Sequence, residues 1–531
     1  MRAELQAISA LDERVLSTHP VTTSEEIKQV MSGTRIAASS WAATPIATRV
    51  ALLSELNAAI LADIDAITKA IMTVTGKVKT EVLLGEIYPV LELLRYYKRN
   101  AERILAPCRL STSPLAFPNA SAQFERRAYG VVGIISPWNF PFQLTLSPLL
   151  TALFAGNGVI FKTSELSIPV GELIMQLLNR IKLPTGLVQH IIGGVETGEY
   201  LIDCRPDLVF VTGAVATGRA IMARAAQHPI PVILELGGKD AMLVFDDANL
   251  ERACNAAMYG AFSNSGQVCV SVERLYVQEG CYPQFLQMLQ EAVAKLTVGH
   301  GAEGDLGALT SLDQYAVVES HYQDAVAKGA KASAPLQLQG RYLLPIVLWD
   351  VTHDMQVMRE ETFGALLPVM TFKTEAQAVQ LANDSDIGLN ASVWSTDIEK
   401  AERVAKHLQI GNWAVNDVIK NIGHAGLPFG GVKNSGFGRY HGAEGLRNFT
   451  YTVSGLTSRS KLDDEPNWFP YSDVRYLQMR GFIDFIFGEG FFLQRIVRNW
   501  QALLAFHGHA QSNARQHWEN FLIFLFRRRD Y

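Results

Sequence analysis

The segment AFSNSGQVCV, Ala261–Val270, runs through small and polar residues to a single cysteine, Cys269. Such an approach offers a thiol to a substrate rather than sealing it in a core. In PVILELGGKD, Glu235 closes an apolar, strand-like run just before Gly237 and Gly238, where burying a carboxylate is costly without a partner or a task. In GVVGIISPWNFPF, Pro137 and Pro141 bracket a turn that carries Trp138 and Asn139. Thiol, carboxylate and amide together supply a nucleophile, a proton acceptor and a donor to an oxyanion, the set needed to attack a carbonyl carbon. Taken singly, each has a plainer explanation, such as a core cysteine or an amide that stabilises a turn.

Upstream of these residues, apolar side chains recur at three- and four-residue spacing through RVALLSELNAAILADIDAITKAI and EVLLGEIYPVLELLRYYKRNAERIL, predicting helices over residues 25–106. Residues 111–132 turn strand-like and polar. Beyond them the strand candidates GVVGIIS, GVIFK, VQHIIGG, DLVFVTG and PVILELGG alternate with SIPVGELIMQLLNRI and GRAIMARAAQ, which predicts an α/β fold with a parallel sheet covered by helices on both faces. A nucleotide in such a sheet lies beyond the carboxyl ends of the strands, where a turn opens a helix. FVTGAVATGR places Gly213, Ala214 and Gly218 at that kind of junction, without a GxGxxG motif. Lys162 and Glu165 follow the strand GVIF, where by themselves they read as a solvated lysine and a helix-starting acid.

Seven blocks, SPWNFPF, GNGVIFKTSE, FVTGAVATG, LELGGKD, FSNSGQVC, EETFGALLPV and LPFGGVKNSGFGRYHG, follow one another between about residues 45 and 455. In type and order they resemble the signatures of the NAD(P)-dependent aldehyde dehydrogenase superfamily, and NSGFGRYHGAEGLRNFT is most similar to its class 3 and coniferyl-aldehyde-dehydrogenase-like branch. The resemblance implies two parallel-sheet αβα domains, a Rossmann-variant cofactor domain over 1–110 and 132–236 and a catalytic domain over 237–436, with a small β oligomerisation arm from 111–131 and 446–458. It also implies oxidation of a medium or long aliphatic, or an aromatic, aldehyde to the acid through a thiohemiacetal and a thioester on Cys269. In that scheme Asn139 and the Cys269 backbone N–H hold the oxyanion and Glu235 activates water. The coenzyme is expected to be NAD, with NADP as the alternative. It would be held by Ser136, Pro137, Trp138, Lys162, Glu165, Gly213, Ala214, Gly218, Leu236, Gly237, Glu361 and Phe363. A carboxylate at Glu165 accepts hydrogen bonds from ribose hydroxyls and repels a 2′-phosphate. Three positions depart from the family pattern: Ala214 stands for a Ser, and Thr163 and Ala365 each stand for a Pro. The rival classes are a cysteine-dependent esterase or thioester hydrolase, which needs no nicotinamide, and a non-catalytic binding homologue.

Composition narrows the setting. A net charge of −5 over 531 residues gives no reason to expect nucleic acid. Five cysteines, an odd number without CxxC pairs, argue against a disulfide framework and for a reducing, intracellular compartment. The acidic residues Glu4, Asp12 and Glu13 near the start do not suit a secretory signal. His424, His441, His507, His509 and His517 show no metal-ligand spacing. A cytoplasmic homodimer is the expectation. Residues 461–531 exceed the family pattern, with a helix candidate around FLQRIVRNWQALLAF and six apolar residues, Phe521–Phe526, followed by Arg527, Arg528 and Arg529. That ending suits either an interfacial membrane contact, which would make the protein peripheral to a membrane, or docking onto the protein's own surface.

Overall fold

The structure, a computed structural model, describes residues 2–113, 117, 119–299, 304–461, 463–465 and 467–508. The run Phe521–Arg529 singled out in the sequence lies outside them. The chain forms two compact units, Met1–Leu105 with Arg127–Tyr451, and Ala106–Arg126 with Thr452–Tyr531.

The first unit holds two sheets. In one, five parallel strands lie in the order Val232–Glu235, Leu208–Thr212, Val131–Ile135, Gly158–Lys162 and Val188–His190, and Gly436–Phe437 pairs antiparallel at the edge. In the other, Ile346–Trp349, Leu366–Phe372, Val272–Gln278, Asp240–Val244, Asn390–Trp394 and Asn412–Val415 run parallel in that order, with the antiparallel Lys331–Ala332 at one edge. Their inner strands are apolar on both faces and fully buried, as helix-covered parallel sheets require. The α/β expectation is met, and the strand candidates fall on observed strands.

Helices fill most of residues 24–105, among them Ser24–Ala43 and Tyr88–Leu105. Thr23 and Glu26 close a capping box at the start of the first. Tyr88–Leu105 buries the stripe Val90, Leu93, Leu94, Tyr97, Ala101 and Ile104. It packs beside Gln143–Ala155, a helix whose thirteen residues are all buried because it is apolar all round. Residues 442–448 form a further helix of this unit, so the exposed strand Thr450–Ser458 begins later than the sequence pattern placed the arm. The second unit contains a three-stranded antiparallel sheet, in the order Thr450–Ser458, Ala120–Ala128 and Cys108–Leu110, and the helices Asp473–Phe487 and Phe492–Gly508.

Two histidines are held neutral by packing. Burial lowers His190, stacked at 4.6 Å on Phe161, to about 4, and lowers His441 to about 3. The unfolded imidazoles bind protons from about pH 6.5 downward while the folded ones do not, so protonation favours unfolding below that point. We expect the thermal midpoint to fall as pH drops from 6.5 toward 4, with each histidine contributing at most about 1.4 kcal/mol per pH unit. Calorimetry of the His190→Gln/His441→Asn double variant should show a flatter slope in that window.

Candidate active site

The chain passes from one sheet to the other in four residues. Glu235 ends a strand of the first sheet and Asp240 begins a strand of the second. The carboxyl ends of one sheet thereby meet the amino ends of the other. The crossing is tight. A Cβ on Gly237 would stand 2.2 Å from Glu361 Oε2, and one on Gly238 would stand 2.0 Å from the Cys269 carbonyl oxygen. Two glycines are required here by close approach to neighbouring loops.

Cys269 lies between the helix Leu250–Phe262 and the strand Val272–Gln278. Between helix and thiol, Asn264, Ser265 and Gly266 all take positive φ, at 50°, 56° and 77°. Such backbone persists only when its surroundings fix it. Here the Asn264 N–H donates to Glu81 Oε1 at 2.5 Å, Ser265 Oγ donates to the Gly307 carbonyl at 2.7 Å, and Gln267 bridges the Asn264 carbonyl and the Thr310 N–H. The turn leaves Cys269 partly exposed at its end.

Asn139 is brought to this turn. Its Nδ2 donates to the Gln267 carbonyl at 3.1 Å, and Asn264 Nδ2 donates to the carbonyls of both Asn139 and Gln267. The loop that carries it is clamped by a fully buried ion pair, Lys77 Nζ to Glu86 Oε1 at 2.5 Å. Lys77 also donates to the Asn139 carbonyl and lies 4.0 Å above the Phe140 ring, while Glu86 Oε2 accepts the N–H groups of Phe142 and Gln143 at 3.1 and 3.0 Å. A second buried pair, Lys239 with Glu273 at 2.6 Å, holds the opposite loop: Glu273 accepts the Thr362 and Phe363 N–H groups at 2.7 and 2.8 Å. The sequence reading missed all four charged residues. Glu86 carries a usable signal, since it occupies the buried stripe of Val82 and Val90 at four-residue spacing.

Glu235 is buried, and among the described residues neither carboxyl oxygen has a hydrogen-bond partner. Burial raises it well above the usual carboxylate range, and the Arg439 charge opposes this only in part. The Cys269 thiol is also pushed up, by burial and then by the carboxylates of Glu361, Asp240 and Glu235. Glu361 is itself raised by burial and by Glu273. Both shifts disfavour the ionised forms, and the Glu235 carboxylate is one of the charges that disfavour the Cys269 thiolate.

At the carboxyl edge of the first sheet, the turns that follow adjacent strands carry the other sequence-selected residues. Ser136–Pro137–Trp138 follows Ile135, Lys162 ends its own strand, Gly213 follows Thr212, and Leu236 follows Glu235. Ser136 ties strand ends together, its N–H donating to the Lys162 carbonyl at 3.0 Å and its hydroxyl lying 2.6 Å from Thr145. Lys162 is buried, its ammonium 3.1 Å from the Thr163 carbonyl and 3.9 Å from the half-exposed Glu165 carboxylate. The eleven-residue helix Val215–Ala225 opens at Ala214 without a side-chain cap, and the buried Thr212 hydroxyl just before it is unpartnered among the described residues. Uncapped first-turn N–H groups suit a phosphate. Gly218 serves packing instead, since a Cβ there would meet Leu236 at 2.6 Å. From the other sheet come Glu361, whose Oε1 accepts the Gly238 N–H at 3.0 Å, and Phe363, whose ring meets Trp138 edge-on at 5.5 Å. A cavity of about 1050 Å³ joins Val215 to Glu361. Phosphate-ready backbone at the Val215 helix start and the Glu361 carboxylate, both on this cavity, with the Phe363 ring two residues beyond Glu361, fit a dinucleotide.

A second cavity, of about 1680 Å³, includes Cys269 and Asn264 in its wall and is lined by apolar side chains such as Leu84, Phe140, Leu144, Phe262, Ile422 and Phe429 together with charged ones such as Glu81, Arg95, Arg252 and Asp417.

Comparison with known proteins agrees with this geometry. The model of the "Aldehyde dehydrogenase family" matches residues 2–454. A 4,4'-diapolycopene aldehyde oxidase of Methylomonas is 59% identical over 99% of both chains. A putative NADP(+) succinate-semialdehyde dehydrogenase of Mycolicibacterium smegmatis is 34% identical over 85% of this chain and 88% of its own. Among solved structures, betaine aldehyde dehydrogenase of Staphylococcus aureus in complex with NAD+ superposes with a TM-score of 0.82 at 29% identity, covering 88% of this chain and 94% of that one.

Removing one partner of a buried ion pair strands the other charge. Lys77→Met should destabilise the protein by about 3–5 kcal/mol. The double variant Lys77→Met/Glu86→Leu should regain most of that stability in chemical denaturation, yet show lower kcat with unchanged coenzyme binding, because Asn139 loses its clamp.

Proposed function

The chain belongs to the aldehyde dehydrogenase family and oxidises an aldehyde to the carboxylic acid with reduction of a nicotinamide dinucleotide, and we propose that it does so on Cys269, with a long, apolar polyene aldehyde as substrate. The carrying observation is a partly buried cysteine on the wall of a large, partly apolar cavity, with a buried carboxyl, unpartnered among the described residues, whose charge bears on it.

Glu235, once it has given its own proton to solvent, takes the Cys269 thiol proton and passes it on in turn; the thiolate then adds to the carbonyl carbon, and the π pair moves onto oxygen. Donors for that oxyanion are Asn139 Nδ2 and the Cys269 N–H. A bound nicotinamide dinucleotide would supply the acceptor for the hydride released as the oxyanion on Cys269 collapses to a thioester. Water then adds to the thioester, Glu235 takes its proton, and the sulfur leaves as thiolate while the acid departs. Both free oxygens of Glu235 suit it to this work, and its bound proton must be lost first. Lys162 and Glu165 would hold the adenosine ribose, the Val215–Ala225 helix start the pyrophosphate, and Glu361 and Phe363 the nicotinamide riboside, with Ser136, Pro137, Trp138, Leu236 and Gly237 shaping the walls. The half-exposed Glu165 carboxylate favours NAD over NADP.

The substrate class is supported by the apolar side chains of this cavity and by the Methylomonas relative, named a 4,4'-diapolycopene aldehyde oxidase. The chain works in the cytoplasm as a homodimer, peripheral to the membrane that dissolves such a substrate. Five free cysteines support a reducing compartment, and Thr450–Ser458, an exposed nine-residue edge strand, is suited to pair with a second copy.

Aldehydes of increasing chain length, assayed with NAD and NADP, should show kcat/KM rising with apolar length. Cys269→Ala should abolish turnover, and Glu235→Gln should give an initial burst of reduced coenzyme followed by slow release of acid. Ester cleavage without coenzyme reduction would favour the hydrolase instead. In the native enzyme kcat should rise with pH on a limb above the ordinary carboxylate range, since Glu235 acts only after deprotonation. That limb should vanish in Glu235→Gln, and Glu165→Gln should narrow the preference for NAD.

A further inference from the structure

The two helices Asp473–Phe487 and Phe492–Gly508 pack as a hairpin whose polarity is reversed. Its buried positions include Gln478, Gly481 and Asn499 alongside Phe485. Asn499 and Arg498 both bond the Asp484 carboxylate, at 2.5 Å and at 2.7 and 2.9 Å. At Gly481 the helices come so close that a Cβ would meet Ala502 Cβ at 2.3 Å. The outward positions carry many apolar side chains: Tyr476, Ile483 and Phe487 on the first helix, with Arg480 exposed among them, and Leu493, Val497 and Trp500 on the second, beside Gln494, Arg498 and Gln501, are each exposed, the six apolar ones by more than half. The spacing is helical, so each set forms one stripe. Phe491, at the turn between the helices, is 81% exposed. Water-facing helices place their polar residues on that side, and contiguous exposed apolar surface of this kind marks a contact.

We infer that this hairpin docks flat on an anionic lipid surface. Within the hairpin four arginines, Arg475, Arg480, Arg495 and Arg498, stand against Asp473, Asp484 and Glu489, and the sequence after it adds four arginines against Glu519 and Asp530, in a protein whose net charge is −5. Aromatic side chains beside arginines suit the headgroup region. No single helix among the described residues is long and apolar enough to cross a membrane, so the contact lies on the surface. The family match ends at residue 454, ahead of the hairpin. A relative that matches nearly the whole chain, hairpin included, is named a 4,4'-diapolycopene aldehyde oxidase. The docking deepens the proposed substrate class, because a water-insoluble aldehyde is met at the lipid surface.

The test uses the purified full-length chain and needs no substrate. Vesicles of phosphatidylcholine, with and without phosphatidylglycerol, are sedimented with native protein and with the variant Ile483→Ser/Phe487→Ser/Leu493→Ser/Val497→Ser/Trp500→Ser. Native protein should pellet with the anionic vesicles, and the variant should partition at least about tenfold less. Oxidation of a short, water-soluble aldehyde should be equal in both, while oxidation of a long aldehyde dissolved in the vesicles should fall in the variant. Native protein that stays in the supernatant, or a variant that pellets equally, overturns the docking. So does a variant that becomes monomeric while vesicle binding is unchanged, which assigns the surface to a second copy of the chain. Failure of the proposed function shows separately, as absent oxidation of the short aldehyde by the native protein.

Discussion

Two lysine ammonium groups are buried against two carboxylates, and the reactive loops depend on both. An isolated charge in such surroundings is strongly disfavoured, and an ion pair becomes tolerable only when its remaining donors and acceptors are satisfied. In Lys77–Glu86 and Lys239–Glu273 those spare positions are filled by the backbone of the loops themselves. The pairs therefore act as clamps. One fixes the segment from Asn139 to Gln143, the other the segment from Thr362 to Phe363, and each loop in turn borders the thiol turn.

Against these satisfied pairs, Glu235 is the contrasting case. It is buried to a similar extent but has been given no hydrogen-bond partner among the described residues. A carboxylic acid kept neutral in this way carries a standing electrostatic penalty for ionising, and a group in that condition is a strong proton acceptor once ionised. The structure satisfies its charges where loops must be rigid and leaves one unsatisfied where a proton must move. The short crossing from Glu235 to Asp240 makes this arrangement compact, since it delivers the end of one sheet, two glycines and the start of the other within a few residues.

Much of this was legible in the chain because it is written in local patterns. Apolar runs bounded by Gly and Pro marked the strands of the first sheet, and the small residues before Cys269 marked an open thiol. Glu235, Asn139 and Cys269 were selected individually, and their convergence followed from resemblance rather than from spacing, because three separate segments of the chain meet only through the sheet order. What stayed hidden was long-range and polar. Nothing local reveals that Lys77 reaches the Asn139 carbonyl, or that Gly218 serves Leu236. Glu86 could have been found, since a carboxylate on a buried stripe must have a partner. In the tail, a helix was foreseen around FLQRIVRNWQALLAF, but which of its faces points outward is decided by the preceding helix.

The left-handed stretch Asn264–Ser265–Gly266 has a bearing on how the protein matures. Its anchors lie both before and after it in the chain: Glu81 and Asn139 are made earlier, whereas Gly307 and Thr310 leave the ribosome some forty residues later. The earlier anchors hold only Asn264, so the full left-handed shape is fixed only once Gly307 and Thr310 have packed against Ser265 and Gln267.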